Sequence, residues 1–260
     1  MSESDLHALQ HPISGVVVVV LVDYLRQHQG WGWLRLMAGS AALRNTPGLL
    51  FAKVMGSGHE GGFSLRPSAS HQGVICCFDT WRAAMEFWDS AWVAALRERA
   101  RESWRGAFAV QSARGQWDQQ SWTPTQDTAF SGAPPPEAHP NMLGVLTRAS
   151  IRPAKAVAFW RHAPPAQADL VKAPGCELSI GLGEAPLLRQ CTLSVWQDTD
   201  SMTQYAHHQA HQQAIQAAYR HQFFSESLFV RMKLLRMQGV WKSRPLDYSP
   251  APAPGAAHVQ

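Results

Sequence analysis

Four of the twelve histidines fall in one stretch, Thr199–Phe224, and three of them, His207, His208 and His211, form the densest histidine cluster in the chain. Imidazoles four residues apart, such as His207 and His211, could hold zinc if a third ligand joined them. No HExxH pattern or neighbouring carboxylate set supplies that ligand. A single axial histidine on a haem iron asks for less: one imidazole, His211, and an apolar slot. At 100° per residue Ala214, Ile215 and Ala218 share the face of His211, and their small size leaves room for a porphyrin. The plainer reading stays open beside it. A kinked, loosely packed helix would leave the histidines in solvent, and for His207, His208 and His221 that reading is preferred.

The element that must carry this cluster reads as one long helix, opened by Asp and Thr in cap positions. It is the second copy of a pattern whose first copy begins at Asp79, again just after a strand-like run. In the first copy Trp81, Ala84, Met85, Trp88, Trp92, Ala95 and Leu96 keep one apolar stripe in phase. In the second, Met202, Tyr205 and Ala206 start the stripe, but Gln209 and Gln213 fall on it and the apolar face moves around the helix. The loss of phase marks where a ligand site could have been installed.

Two arginines stand among apolar neighbours on strands of the second copy, Arg148 and Arg231. Arginine inside a sheet pairs with an acid, lines an exposed face, or, near a haem, holds a propionate or faces the ligand side of the iron. The glycine runs GSGHEGG at Gly56 and GLGEAP at Gly181 carry neither a P-loop Lys-Ser/Thr nor a dinucleotide GxGxxG. They read as hairpins with close backbone approach, or as plain turns. There is no GxSxG nucleophile, and the 19 Asp and Glu are too scattered for two-carboxylate hydrolysis.

Composition narrows the classes further. The net charge of +4 comes without a basic run, zinc-finger spacing or aromatic RNA signature, which argues against nucleic acid. A mildly basic surface suits an anionic membrane or an acidic redox partner. The four cysteines contain no CxxC pair; Cys76 and Cys77 are adjacent on a strand and must face opposite ways, as core thiols of a reducing compartment. The run Val16–Val22 is too short to span a bilayer and reads as a buried strand. A cytoplasmic location is expected, with room for peripheral contact with the inner membrane.

In chain order, strands at Gly15–Tyr24, Leu49–Met55, Gly73–Phe78 and Ala107–Gln111, the last ending at Trp117, alternate with helices at Trp31–Arg44 and after Asp79. Strands at Leu143–Ile151, Glu177–Ile180, Gln190–Trp196 and Leu228–Leu235 repeat the order around a helix beginning at Ala154 and the histidine-bearing one. Gly48 answers to Gly175, Gly56 to Gly181, Phe78 to Trp196 and Trp117 to Trp241. The expected fold is α+β: two tandem ferredoxin-like βαββαβ units, residues 1–117 and 141–241, packed as a fused dimeric α/β barrel. A Gln/Ser/Pro-rich linker, residues 118–140, joins them, and residues 242–260 read as a flexible tail.

Several short motifs in order, VMGSGHEGGFS at Val54, GVLTRASI at Gly144, CTLSVWQDTDSM at Cys191 and AHQQAI…FFSESLFVRM from Ala210, resemble the spheroidene monooxygenase (carotenoid 2-ketolase) family of purple bacteria. The resemblance covers roughly residues 15–241. It implies dioxygen-dependent oxidation of acyclic carotenoids beside the methoxy-bearing end, through a hydroxyl to a 2-ketone, with electrons from an unidentified donor. It also implies haem b, with iron held by the histidine at the family's recurrent position, His211; His207 and His208 are the alternatives. In that picture Ala214, Ile215, Ala218 and Trp196 line the haem slot, and Gly56, Gly58, Gly181 and Gly183 approach its rim. Arg148 and Arg231 act as propionate or distal partners. A haem or lipophile carrier and a cofactor-independent monooxygenase of the same fold are the rival readings.

Overall fold

The computed structural model describes residues 12–62, 66–131, 136–185, 187–207, 212, 216–218 and 220–250, with 162–168 described as backbone only. The uninterrupted valine run forms β1 (Val16–Tyr24), buried along its whole length, as expected for a strand covered on both faces. It lies between β3 (Pro67–Phe78) and β4 (Ala100–Trp117), and β3 pairs on its far side with β2 (Leu49–Gly58). The second half repeats the arrangement: β6 (Leu143–Ile151) lies between β8 (Arg189–Trp196) and β9 (Phe224–Trp241), and β8 pairs with β7 (Cys176–Ala185).

Two seams join the halves. Gly56–Gly183 and Ser57–Leu182 link β2 to β7, while β4 and β9 run together from Trp104–Gly239 to Gly115–Leu228. The result is a closed, antiparallel, eight-stranded barrel. Two short strands, β5 (Gln120–Ser121) and β10 (Arg244–Pro245), fold back on β4 and β9. Helices decorate the outside: α1 (Gln29–Ala38), α2 (Trp81–Trp88), α3 (Ala91–Glu98), α4 (Ala156–Lys172) and α5 (Thr199–Ala206).

Strand periodicity sorts the side chains. Val17, Val19 and Leu21 point into the barrel with Trp104, Phe108, Leu193 and Met232, whereas Val16, Val18, Val20 and Val22 face out beneath α2 and α3. Cys77 and Cys76 divide the same way, inside and outside; burial pushes both thiols well above the ordinary range, so they are inert packing groups. The interior is filled. A Cβ on Gly106 would lie 2.4 Å from Trp104, and one on Gly144 would lie 2.8 Å from Phe108.

Four expectations change. The long helix after Asp79 is two helices, because Ser90 caps α3 by accepting from the Val93 N–H at 3.3 Å, as Thr80 caps α2; capping chemistry overrides the continuous stripe. Likewise α5 stops at Ala206, with a turn at His207 and helix again at residue 212. The expected tail is ordered over 242–250: Leu246 is buried, and Tyr248 exchanges backbone hydrogen bonds with Met237. The linker also packs, through β5 and a buried Trp122 stacked on Trp117.

Candidate functional site

The halves share a strand order and a pairing register, so their outer faces compare position by position. In the first half Val18, Val20, Ala52, Val54, Val74, Cys76 and Ala107 face outward under the helices. In the second half the same register positions hold Val145, Thr147, Ser179, Gly181, Thr192, Ser194 and Arg231. An apolar, close-packed layer has been exchanged for hydroxyls, a glycine and a guanidinium. The cover changes with it. Above the first half, α2 and α3 bury Ala83, Ala84, Phe87, Trp88, Val93 and Leu96. Above the second, Leu170 of α4 and Met202 of α5 cover the end at Leu143, Val145 and Trp196. Further along, Thr147 is exposed and its neighbour Phe229 is 40% exposed, while the first half buries Val20 and Arg105 at those positions.

Arg231 lies in the middle of this face, half-buried, opposite Val145 on one side and Ser112 on the other. Its Nε is buried and has no hydrogen-bond partner among the described residues. An unmet guanidinium donor over a floor of small side chains can receive a carboxylate carried on a flat, otherwise apolar molecule.

Arg148 is placed differently. It points into the end of the barrel, where its guanidinium bonds to Glu226 and lies 3.6 Å from Glu184, 3.5 Å from Asp118 and over the Trp117 ring. Lys53 joins the cluster through Asp118 and Glu184, and Trp117 Nε1 donates to Glu184 at 2.7 Å. Glu226 also accepts from the backbone N–H groups of Asp118 and Gln119, the positive-φ turn between β4 and β5. The two arginines expected to share a pocket therefore sit on opposite faces of the sheet. Arg148, compensated by three carboxylates, serves the barrel.

The remaining expected site residues separate as well. His211, Ala214 and Ile215 lie outside the described residues, as does His208. Ala218 is half-buried, and His207 is exposed at the end of α5. Trp196 is fully buried beneath α5, tilted against Tyr205 at 5.4 Å and donating to Ser194 Oγ. Gly56 and Gly58 belong to β2, Gly181 and Gly183 to β7. The close approach read from their spacing is strand to strand: Gly56 faces Gly183, and Ser57 Oγ donates to the Gly181 carbonyl at 2.5 Å. Among the described residues no group of three or more His, Cys, Asp and Glu side chains could hold a metal ion.

Sequence reasoning missed Thr147, Ser179, Thr192, Ser194 and Phe229. Their signal lies in the outward positions along the strands of the two copies, between the correspondences that anchor the repeat at Phe78 with Trp196 and Gly48 with Gly175.

No family model matches the chain. It is 45% identical over 230 residues to spheroidene monooxygenase of Rubrivivax gelatinosus, covering 88% of this chain and 86% of that protein. Spheroidene monooxygenase of Rhodobacter capsulatus is 31% identical over 218 residues, covering 82% of this chain and 87% of the relative. Among solved structures, aldoxime dehydratase in complex with butyraldoxime superposes with a TM-score of 0.55 at 9% identity, over 85% of this chain and 79% of that one, a likeness of fold alone. With nearly half its residues shared along almost the whole length of a relative, the chain belongs to the spheroidene monooxygenase family.

Proposed function

We propose that this protein is a haem-dependent monooxygenase that oxidises an acyclic carotenoid of the spheroidene type, by hydroxylation and further oxidation to the 2-keto product. We also infer that its barrel is a fusion of two ferredoxin-like units, of which the second was opened to take the cofactor. The observation that carries the reading is the exchange on the outer face of the second half, where Thr147, Ser179, Gly181, Thr192 and Arg231 stand in the register of a solid apolar layer. The family supplies the substrate class.

The described residues fit a haem on two counts. Small side chains leave a flat floor, and the unpartnered Arg231 Nε suits a propionate. The proposed iron ligand is His211, whose partners Ala214, Ile215 and Ala218 would complete the apolar side. When bound, the haem supplies the centre at which dioxygen is activated. The chain's own residues do the rest. Arg231 would hold a carboxylate of the cofactor. Phe229, beside Thr147 on the open side, offers the apolar surface along which a polyene would lie. The filled barrel behind Val145 and Ser194 keeps water from reaching the site through the floor. Each hydroxylation puts one atom of dioxygen into the C–H bond and reduces the other to water, so a partner must deliver two electrons per cycle.

The test is reconstitution of the purified chain with hemin, followed by spheroidene, dioxygen and a chemical reductant. A Soret band, its loss in His211→Ala, and formation of oxygenated carotenoid are expected. Turnover by a colourless preparation would replace the proposal with a cofactor-independent oxygenase. Tight haem binding with no product under reducing conditions would make the protein a carrier.

A further inference from the structure

Three large, exposed apolar side chains gather on one helix of the other half. Leu34 is 70% exposed, Met37 81% and Trp33 42%. At 100° per residue these three share an arc with Gly30 and Ala38, both also exposed. Gly32 and Leu36 point the other way: a Cβ on Gly32 would meet the Tyr24 ring at 2.5 Å, and Leu36 rests on Gly56. Thus α1 buries a narrow edge and presents its broad apolar face to solvent, the reverse of an ordinary surface helix.

Along the chain, the charge flanking the helix has one sign. From Tyr24 to His59 the chain contains Arg26, Arg35, Arg44 and Lys53 and not one Asp or Glu. Lys53 is spent inside the barrel-end cluster, whereas Arg26 and Arg44 are exposed and bracket the helix before and after. Arg35 holds its guanidinium over the Trp31 ring at 4.8 Å, on the flank of the helix.

We propose that α1 is a membrane-docking element. Trp33, Leu34 and Met37 enter the interfacial layer of a bilayer, and Arg26, Arg35 and Arg44 meet anionic headgroups. A protein partner would need acidic groups around an apolar socket. A lipid surface supplies both parts without further design, and an interfacial tryptophan flanked by arginines suits its boundary. The element also sits in a useful place. Leu36 touches Gly56, the residue whose strand partner Gly183 belongs to β7, the same strand that carries Gly181 of the open face. A chain docked through α1 holds that seam toward the bilayer, where a long polyene is dissolved.

The test uses the full chain without added haem or substrate, so it stands apart from the proposed oxygenase activity. Flotation with vesicles of phosphatidylcholine alone, or mixed with phosphatidylglycerol, should show binding to the mixed vesicles that weakens with salt. The Leu34→Ser/Met37→Ser chain should lose roughly tenfold or more in vesicle affinity, given two large apolar side chains that no longer enter lipid. Arg26→Gln/Arg44→Gln should lose roughly tenfold on the anionic vesicles while keeping its weaker binding to the neutral ones. Both variants alter exposed positions, and unchanged far-UV circular dichroism would verify that they fold. The proposal is overturned if the native chain stays in solution with both vesicle types, or if folded variants float as well as it does. It is equally overturned if light scattering shows a dimer that Leu34→Ser/Met37→Ser dissociates, because the face would then join two copies.

Discussion

Arg148 and Arg231 are the same residue type on neighbouring strands, and the environment gives them opposite tasks. Arg148 is fully buried among Glu226, Glu184 and Asp118, so removing it leaves Glu226 without its cation at the barrel end, while Lys53 still pairs Asp118 and Glu184. Arg148→Met should cost about 3–5 kcal/mol of stability, read from the urea midpoint. Arg231→Leu should cost little stability, because its Nε has nothing to lose among the described residues, yet it should weaken hemin uptake. A second residue-scale prediction concerns His71, at the opposite end of the barrel beside Asp23 and Trp241. Burial holds its pKa below the ordinary imidazole range, by more than the Asp23 carboxylate lifts it. The unfolded chain therefore takes up a proton near pH 6.5 that the native chain resists. Stability should fall as pH drops through 6.5 toward the native pKa, and His71→Gln should flatten that slope in a series of denaturation curves. His139, also lowered by burial, adds a residual slope of the same sign.

At the scale of elements, the break between α2 and α3 gives a discriminating test. Were residues 81–98 one helix, Ser90→Ala would stabilise it, alanine being the better helix former. With Ser90 as the cap of α3, the substitution should instead cost about 1 kcal/mol, seen as a lowered Tm. The pattern of apolar residues could not reveal this break. Trp88 and Trp92 keep helical spacing across it, and the deciding information is a single hydroxyl in the Asp89-Ser90 pair. Strands were easier to read. The valine run of β1 and the correspondence of Phe78 with Trp196 place both halves in the barrel, since period and length fix a strand without reference to its partners. Strand ends were not legible: β4 and β9 run to 18 residues each, because pairing with the other half extends them beyond what their own apolar pattern requires. The charged barrel-end cluster escaped for the same reason. Lys53, Asp118, Arg148, Glu184 and Glu226 come from five separate segments and meet only once the barrel closes.

At the scale of the whole molecule, the two halves repeat one topology but divide its labour. The first half keeps an apolar layer between sheet and helices and turns α1 outward. The second gives up that layer for Gly181, Thr147, Thr192, Ser194 and Arg231 and closes the face only at the end held by Leu170 and Met202. On this account the second half holds the cofactor, and refilling its face should expel the cofactor without opening the barrel. The most direct measurement is a hemin titration of the native chain beside Thr147→Leu/Gly181→Leu, followed at the Soret band, with circular dichroism reporting that both are folded. The account predicts saturable uptake of one hemin per native chain and at least tenfold weaker uptake by the refilled variant. Equal uptake by the two folded chains would contradict it.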